Sequence, residues 1–327
     1  MPAPLHNNKR KDNYMIWIIG AGNMAREYAK VLKALDKEFI CIGRGEKSAK
    51  EFKEATGVEA IEGGLEKYLA IKPALPEAAI VASVEKSHVS NCIGLMNYGV
   101  RRILCEKPGF LYPTELEEVK KVQEQCGAEI YYAYNRRFYA ATLAAEKIIE
   151  EDGGLLSFNF EFTEWGHVIA TYNFPEETLA NWFYANSTHV VDLAFFLGGK
   201  PVEMKCFAKD EISWHKPSNF AGAGITEKGL LFNYQANWDA PGRWAVELLT
   251  SRHRIYLKPM EQLQLQDKGS VKVYPVEIDD HLDKEFKPGL YLETKAFLAG
   301  ERTRLCSLKE QLEHVKNIYL KICSFNQ

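Results

Sequence analysis

The sequence predicts an α/β domain built on a parallel, doubly wound sheet, followed by an α+β domain with a large, mainly antiparallel open sheet. Three observations predict it. Short apolar runs alternate with longer amphipathic stretches up to about residue 134. A glycine-rich turn joins the first apolar run to the first amphipathic stretch. After residue 135, strand-like segments with period-two patterning dominate.

In order, strands are predicted at 15–19, 39–42, 79–82, 102–105 and 129–134, and helices at 25–35, 47–56, 65–70, 88–97 and 114–125. In the first helix Tyr28, Val31, Leu32 and Leu35 recur at helical spacing. Gly57, Gly99 and Gly127 follow the second, fourth and fifth helices as stop signals. This βαβα order requires crossovers, hence a parallel sheet with helices on both faces. From residue 135 a helix at 139–150 leads into strands at 155–163, 202–208, 229–238, 245–250, 253–257 and 271–276. A helix at 188–197 interrupts them and stops at Gly198-Gly199, and helices at 291–298 and 308–322 close the chain. The division is a loose tail at 1–13, a first domain at 14–134 and a second at 135–327, whose C-terminal helix packs back on the first domain in one arrangement.

The bulk numbers agree with an ordinary globular protein. The 327 residues are 46% hydrophobic, and length alone suggests about two domains. A net charge of −3, from 41 basic and 44 acidic residues, gives no basic excess, so no nucleic-acid partner is expected. No apolar run reaches about 18 residues, so no membrane span is expected. The opening MPAPLHNNKRKDNY has no apolar segment behind its charges, which predicts no secretory signal and a cytoplasmic location. Seven cysteines without a CxxC fit buried thiols better than disulfides or zinc. His167 and His215 lack metal-ligand spacing, so no metal is expected. Neither GxSxG nor HExxH occurs, which removes support for a hydrolase.

Gly20-Ala21-Gly22-Asn23-Met24-Ala25 carries the first chemistry, in the context of a Rossmann domain. Gly20 permits the tight turn, Gly22 lets a pyrophosphate approach the backbone, and Ala25 keeps helix and strand close. Asn23 and Met24 open a helix whose free N–H groups and dipole attract phosphate. The next strand ends in Gly43-Arg44-Gly45-Glu46-Lys47-Ser48, with no carboxylate directly after Ile42. Arg44 and Ser48 suit a ribose 2′-phosphate, which favours NADP(H). Glu46 leaves NAD(H) open.

Three further motifs follow. Leu104-Cys105-Glu106-Lys107-Pro108 ends a strand, Asn135-Arg136-Arg137-Phe138 marks the domain junction, and Ser187-Thr188-His189-Val190-Val191-Asp192 opens a helix. With the stretch 80–107, in which His88 starts a helix, they resemble the Gfo/Idh/MocA family of glucose–fructose oxidoreductase and inositol dehydrogenase-like proteins, over nearly the whole chain. The resemblance implies an NAD(P)-dependent oxidoreductase that moves a hydride between nicotinamide and a carbinol or carbonyl carbon of a sugar, polyol or nucleotide-linked sugar. It implies a homodimer or homotetramer. It also places Ser83, His88, Glu106 and Lys107 near the cofactor, and the second domain near the substrate.

Lys107 stands at a strand's C-terminal end, where open α/β sheets bind ligands. Burial beside a cationic nicotinamide lowers a lysine pKa towards the range useful for proton transfer. His189 is the second catalytic candidate, with Asp192 one turn on to steady its ring. Asn135, Arg137, Tyr184 and Asp192 are the candidate substrate contacts. One departure matters. Much of the family has an Asp four residues before this His, where this chain has Ala185. Three outcomes stay open: Lys107 and His189 suffice, Tyr184 or a carboxylate such as Glu164 stands in, or the usual alcohol oxidation is lost and the chain acts as a ketone reductase or a binder. A non-catalytic dinucleotide-sensing regulatory protein of the same fold is the second reading. A non-sugar substrate, such as a tetrapyrrole or an imine, also stays open. Trp165, Trp182, Trp214, Trp238 and Trp244 read as core or interface before they read as a sugar platform.

Overall fold

The structure, a computed structural model, describes residues 15–324, and the expected tail at 1–13 lies outside them. The first sheet contains β1 (Ile16–Ile19), β2 (Phe39–Ile42), β3 (Ala60–Ile61), β4 (Ala78–Val81), β5 (Arg102–Glu106) and β6 (Glu129–Ala133). The second contains β7 (Leu155–Glu161), β8 (Pro201–Lys209), β9 (Asn219–Thr226), β10 (Leu231–Asn237), β11 (Ala245–Thr250), β12 (His253–Leu257), β13 (Gln264–Asp267) and β14 (Val273–Pro275). A short β15 (Cys306–Ser307) then rejoins the first sheet.

The first sheet runs β15-β6-β5-β4-β1-β2-β3. Its β1–β6 pairings are parallel, while β15 joins β6 antiparallel. All four residues of β1 and of β4 are buried, as a strand covered on both faces requires. The strand order reverses between β1 and β4, so a crevice opens at their C-terminal ends. The second sheet runs β14-β13-β12-β11-β7-β10-β9-β8 and is antiparallel apart from the β7–β10 pair. Burial alternates strictly along β10. Its inner face carries Phe158, Phe160, Phe162, Phe232 and Tyr234, stacked on one another and capped by Phe195 from the helix Thr188–Gly198. Of the five tryptophans after residue 135, Trp182, Trp238 and Trp244 are buried, whereas Trp165 is exposed.

The structure adds elements that propensity hides. β9 reads NFAGAGIT, and glycine weakens a strand signal. Gly222 and Gly224 are nevertheless required there, because a Cβ would meet the Tyr234 ring at 2.4 Å and the Glu203 carbonyl at 2.1 Å. β3 and β15 are two residues each, too short for periodicity to register. The helix expected to begin at 188 is preceded, without a break, by a π-helical turn, Phe183–Ser187. No helix among the described residues is long and apolar enough to cross a membrane.

Several histidines are buried without charge. Burial, the largest cause in each case, pushes His88 and His215 down to about 4 and His314 to about 3. An unfolded imidazole takes up its proton near pH 6.5, whereas these do so only on unfolding or at far lower pH. Stability is therefore full above pH 6.5 and falls as pH drops from 6.5 towards 4. His88 and His215 should each remove about 3 kcal/mol over that window. Denaturant melts between pH 7 and 4 check this, and a flat profile would contradict it.

Candidate functional site

The crevice begins at Gly20, whose φ is +114°. A Cβ there would sit 2.5 Å from the Ala82 carbonyl oxygen, so only glycine lets the β1 turn lie against the β4 turn. Gly22 caps the helix Asn23–Ala34, and nothing lies within 4 Å of where its Cβ would point. The first helical turn carries no acidic residue, and Ala25 is fully buried beneath it. An open cradle of free N–H groups at a helix N-terminus fits a dinucleotide pyrophosphate. Asn23 and Met24 are on its rim.

The turn after β4 forms one wall. His88 Nε2 donates to the Ser83 carbonyl oxygen at 2.9 Å, and Ser83 Oγ accepts from Asn91 Nδ2 at 3.0 Å and Ser87 Oγ at 2.9 Å. His88 is thus a buried clamp on this turn. After β2, the Arg44 guanidinium is exposed and makes no side-chain hydrogen bond or ion pair among the described residues. Ser48 Oγ donates back to the Gly45 carbonyl at 2.9 Å, and Glu46 is exposed at the start of its helix.

Glu106 and Lys107 leave the end of β5. Glu106 points into the first domain, where its Oε1 accepts from Tyr28 OH at 2.9 Å. Burial raises its pKa, opposed by Lys107 and Tyr28. Lys107 turns the other way, and its Nζ donates to the Ala185 carbonyl oxygen. Burial lowers its pKa, Glu106 and Glu85 oppose this, and Arg136 and Lys287 add to it. The following Gly109 (φ +86°) lies so close to Tyr132 that a Cβ would overlap the ring, so glycine fixes the path of the Lys107-Pro108 turn.

His189 faces the same space from the second domain. Its ring is edge-on to Tyr134 at 6.0 Å and 6.1 Å from Trp244, and its Nδ1 is buried without a partner. Burial first, then Arg136, Lys107 and Lys287, hold its pKa well below the usual histidine value. His189 is therefore a neutral imidazole. The site thus pairs an amine of lowered pKa with a neutral imidazole, beside a dinucleotide cradle.

Residues 15–134 match a family model described as an oxidoreductase family with an NAD-binding Rossmann fold, GFO_IDH_MocA. That match covers the first domain alone. Solved structures extend the likeness of fold to the second domain. Levoglucosan dehydrogenase with NADH and levoglucosan is 17% identical, with a TM-score of 0.74 over 95% of this chain and 97% of that one. UDP-N-acetylglucosamine 3-dehydrogenase GnnA from Acidithiobacillus ferrooxidans is 15% identical, with a TM-score of 0.74 over 96% and 99%. The WlbA dehydrogenase from Chromobacterium violaceum with NADH and UDP-GlcNAcA is 16% identical, with a TM-score of 0.69 over 95% and 94%. No curated protein sequence matches the chain.

Within this fold, four expected substrate contacts are corrected. Arg137 and Asp192 are spent on each other: Nε donates to Oδ2 at 2.8 Å and Nη2 to Oδ1 at 2.5 Å, with side chains 1% and 0% exposed. Burial alone would lower the Arg137 pKa, but Asp192 holds it well above the usual value. Asp192 therefore braces Arg137, not the His189 ring. Asn135 is used at both ends, its Nδ2 donating to the Pro288 carbonyl and its Oδ1 accepting from Arg136. Tyr184 packs against Phe110 and lines a separate cavity with Leu312 and Leu320, so it does not replace the missing Asp. Glu164 does not either: its buried carboxylate accepts from Asn186 and Ser187 and so anchors the π-helical turn.

The sequence reading missed Gln311, whose Nε2 donates to the Pro108 carbonyl at 2.8 Å and to Tyr134 OH at 3.1 Å. It holds the Lys107-Pro108 turn from a helix more than two hundred residues later, and nothing local in the sequence marks it. Lys287 was also missed, Arg136 stood within the junction motif without a substrate role, and Trp244 was read first as core or interface. Because Asp192 is a strut, Asp192→Ala should cost about 3–5 kcal/mol of stability, the usual penalty for stranding a buried cation. Denaturant unfolding measures it. A loss under about 1 kcal/mol with a raised KM would return Asp192 to substrate binding.

Proposed function

We propose that this oxidoreductase acts on a carbinol or carbonyl carbon of a sugar, polyol or nucleotide-linked sugar, with Lys107 as the acid/base and NADP(H) as the preferred cofactor. The observation that carries this reading is Lys107, half-buried at the C-terminal end of β5, with its Nζ held across the cleft by the Ala185 carbonyl. Solved neighbours of the same fold bind or act on levoglucosan and UDP-linked sugars by their names, which supports a sugar-like substrate.

When bound, NAD(P) supplies a hydride acceptor or donor at its nicotinamide C4. Gly20, Gly22, Asn23, Met24 and Ala25 would hold the pyrophosphate, and Ser83 and His88 would shape the wall beside the nicotinamide. Lys107 gives a proton from Nζ to the substrate oxygen on reduction and takes it back on oxidation. The Ala185 carbonyl uses one Nζ hydrogen and leaves the others for the substrate. His189, neutral, positions the same oxygen by a hydrogen bond; it is not the acid. In this way a backbone carbonyl takes over the orienting part of the absent Asp.

A second reading, a non-catalytic dinucleotide sensor, rests on Ala185, which can neither give nor take a proton. One variant separates the two. Lys107→Met should lower turnover by about 10²- to 10⁴-fold while leaving dinucleotide affinity within a few-fold. Undiminished turnover removes Lys107 from the chemistry, and absence of turnover by the parent protein across a broad sugar panel favours the sensor.

The NADP(H) preference rests on the exposed, unpaired Arg44 and the lack of a carboxylate directly after β2. Fluorescence titration should show NADPH binding about 10-fold or more tighter than NADH, with Arg44→Ala removing the difference. Equal affinities would assign the ribose to Glu46. A homodimer or homotetramer is part of this proposal, because the outer sheet face leaves Leu156, Phe207 and Leu231 exposed.

A further inference from the structure

Arg136 stands apart from the other arginines. Arg26, Arg102, Arg137, Arg254 and Arg304 are buried or half-buried, and each has a carboxylate within 4.0 Å. Arg136 is half-buried too, yet among the described residues it has none. Its Nη1 donates to Asn135 Oδ1, and its Nε is buried without a partner. The guanidinium lies over the Trp244 ring at 5.1 Å, and that ring is 6.1 Å from His189. Trp244 Nε1 is likewise buried without a partner. Lys287, exposed nearby, has no ion pair among the described residues.

A half-buried guanidinium is rarely left without a counter-charge, because its desolvation then goes uncompensated. Here two unmet donors and a free ammonium converge, with no acceptor among them. The carboxyls in reach are Glu85, half-buried, and Glu106 and Glu293, buried, and none comes within 4.0 Å of Arg136, Lys287 or Lys107. Pro288, the residue after Lys287, accepts from Asn135, the residue before Arg136, at 2.9 Å, and both cations lower the pKa of Lys107 and of His189, which puts the two segments at the same end of the cleft. Among the described residues, no carboxylate pairs directly with Arg136 or Lys287.

We propose that the substrate brings the missing counter-charge: an anionic group, carboxylate or phosphate, docks on Arg136 and Lys287 beside Trp244. This rests on the sugar-oxidoreductase reading and narrows it to acidic sugars. A planar guanidinium on an indole face is held in place to receive two oxygens in a fork, and the ammonium adds a second positive charge. The neutral partner His189 and the amine Lys107 then face the reacting carbon of the same molecule.

Calorimetric titration of the protein saturated with NADPH, and separately with NADH, tests this with D-glucuronate, D-glucose 6-phosphate and D-glucose as probes. At least one anion should bind about 10-fold or more tighter than glucose, the scale of one charge-assisted contact. Arg136→Gln should abolish that preference, Arg136→Lys should retain part of it, and Lys287→Gln, at an exposed position that leaves the core intact, should reduce it several-fold. Preference for glucuronate identifies a carboxylate, and preference for the phosphate identifies a phosphoryl group. Glucose binding as well as both anions, no anion binding at tens of millimolar, or an unchanged preference in both Arg136→Gln and Lys287→Gln overturns the proposal. Turnover of neutral sugars with no anion preference would sink this inference and leave the sugar-oxidoreductase reading standing. Anion binding without any turnover would do the reverse.

Discussion

The buried Arg137–Asp192 pair is the constraint on which the arrangement of the site depends. Arg137 sits on the turn that leaves β6, and Asp192 on the helix that carries His189. The same guanidinium also donates to Glu310 Oε1 at 2.8 Å and to the Arg304 carbonyl, and Arg304 donates back to the Arg137 carbonyl. One side chain thereby joins the end of the first sheet, the central helix of the second domain and the returning C-terminal segment. Such a pair contributes less to net stability than its geometry suggests, because two charges have left water. Its contribution is to register: His189, one turn before Asp192, cannot move relative to β6 without stranding a charge.

A second chain of contacts fixes Lys107 in the same frame. Tyr134, the residue after β6, shares a hydrogen-bond network with Gln311 and Tyr319, and Gln311 reaches the Pro108 carbonyl. Tyr134 also lies edge-on to His189. The two candidate catalytic side chains are therefore referenced to one tyrosine. Opposite them the π-helical turn presents the Ala185 carbonyl, and Glu164 holds that turn through Asn186 and Ser187. π-helical turns recur at functional sites because they release backbone groups from the regular ladder.

Much of this was legible in the sequence, and the limits have physical causes. The first sheet was readable because buried parallel strands are unbroken apolar runs, and predicted and observed bounds differ by a residue or so at β1, β2, β4 and β5. β9 was not, because its glycines exist to clear Tyr234 and Phe232 on a neighbouring strand. At the site, Gly20, Gly22 and Lys107 lie where motif spacing put them. Asn135, Arg137 and Asp192 were noticed as residues but misread in role, since a polar side chain that braces a junction and one that grips a ligand look alike in one dimension. Gln311 acts at a sequence distance that no local pattern encodes.

The return of the chain to its first sheet has a consequence in time. β15 pairs with β6 through Cys306 and Ser307, and the helix that follows delivers Gln311 and Glu310. A ribosome releases the β1–β6 segment long before these residues exist. The early domain can collapse on its own apolar strands, but the Pro108 carbonyl, the Tyr134 hydroxyl and one side of the Arg137 guanidinium then lack their final partners. The Lys107-Pro108 turn gains its final partner only when the helix that carries Gln311 has been made, so a nascent chain carries the candidate dinucleotide cradle first and the candidate catalytic pair last.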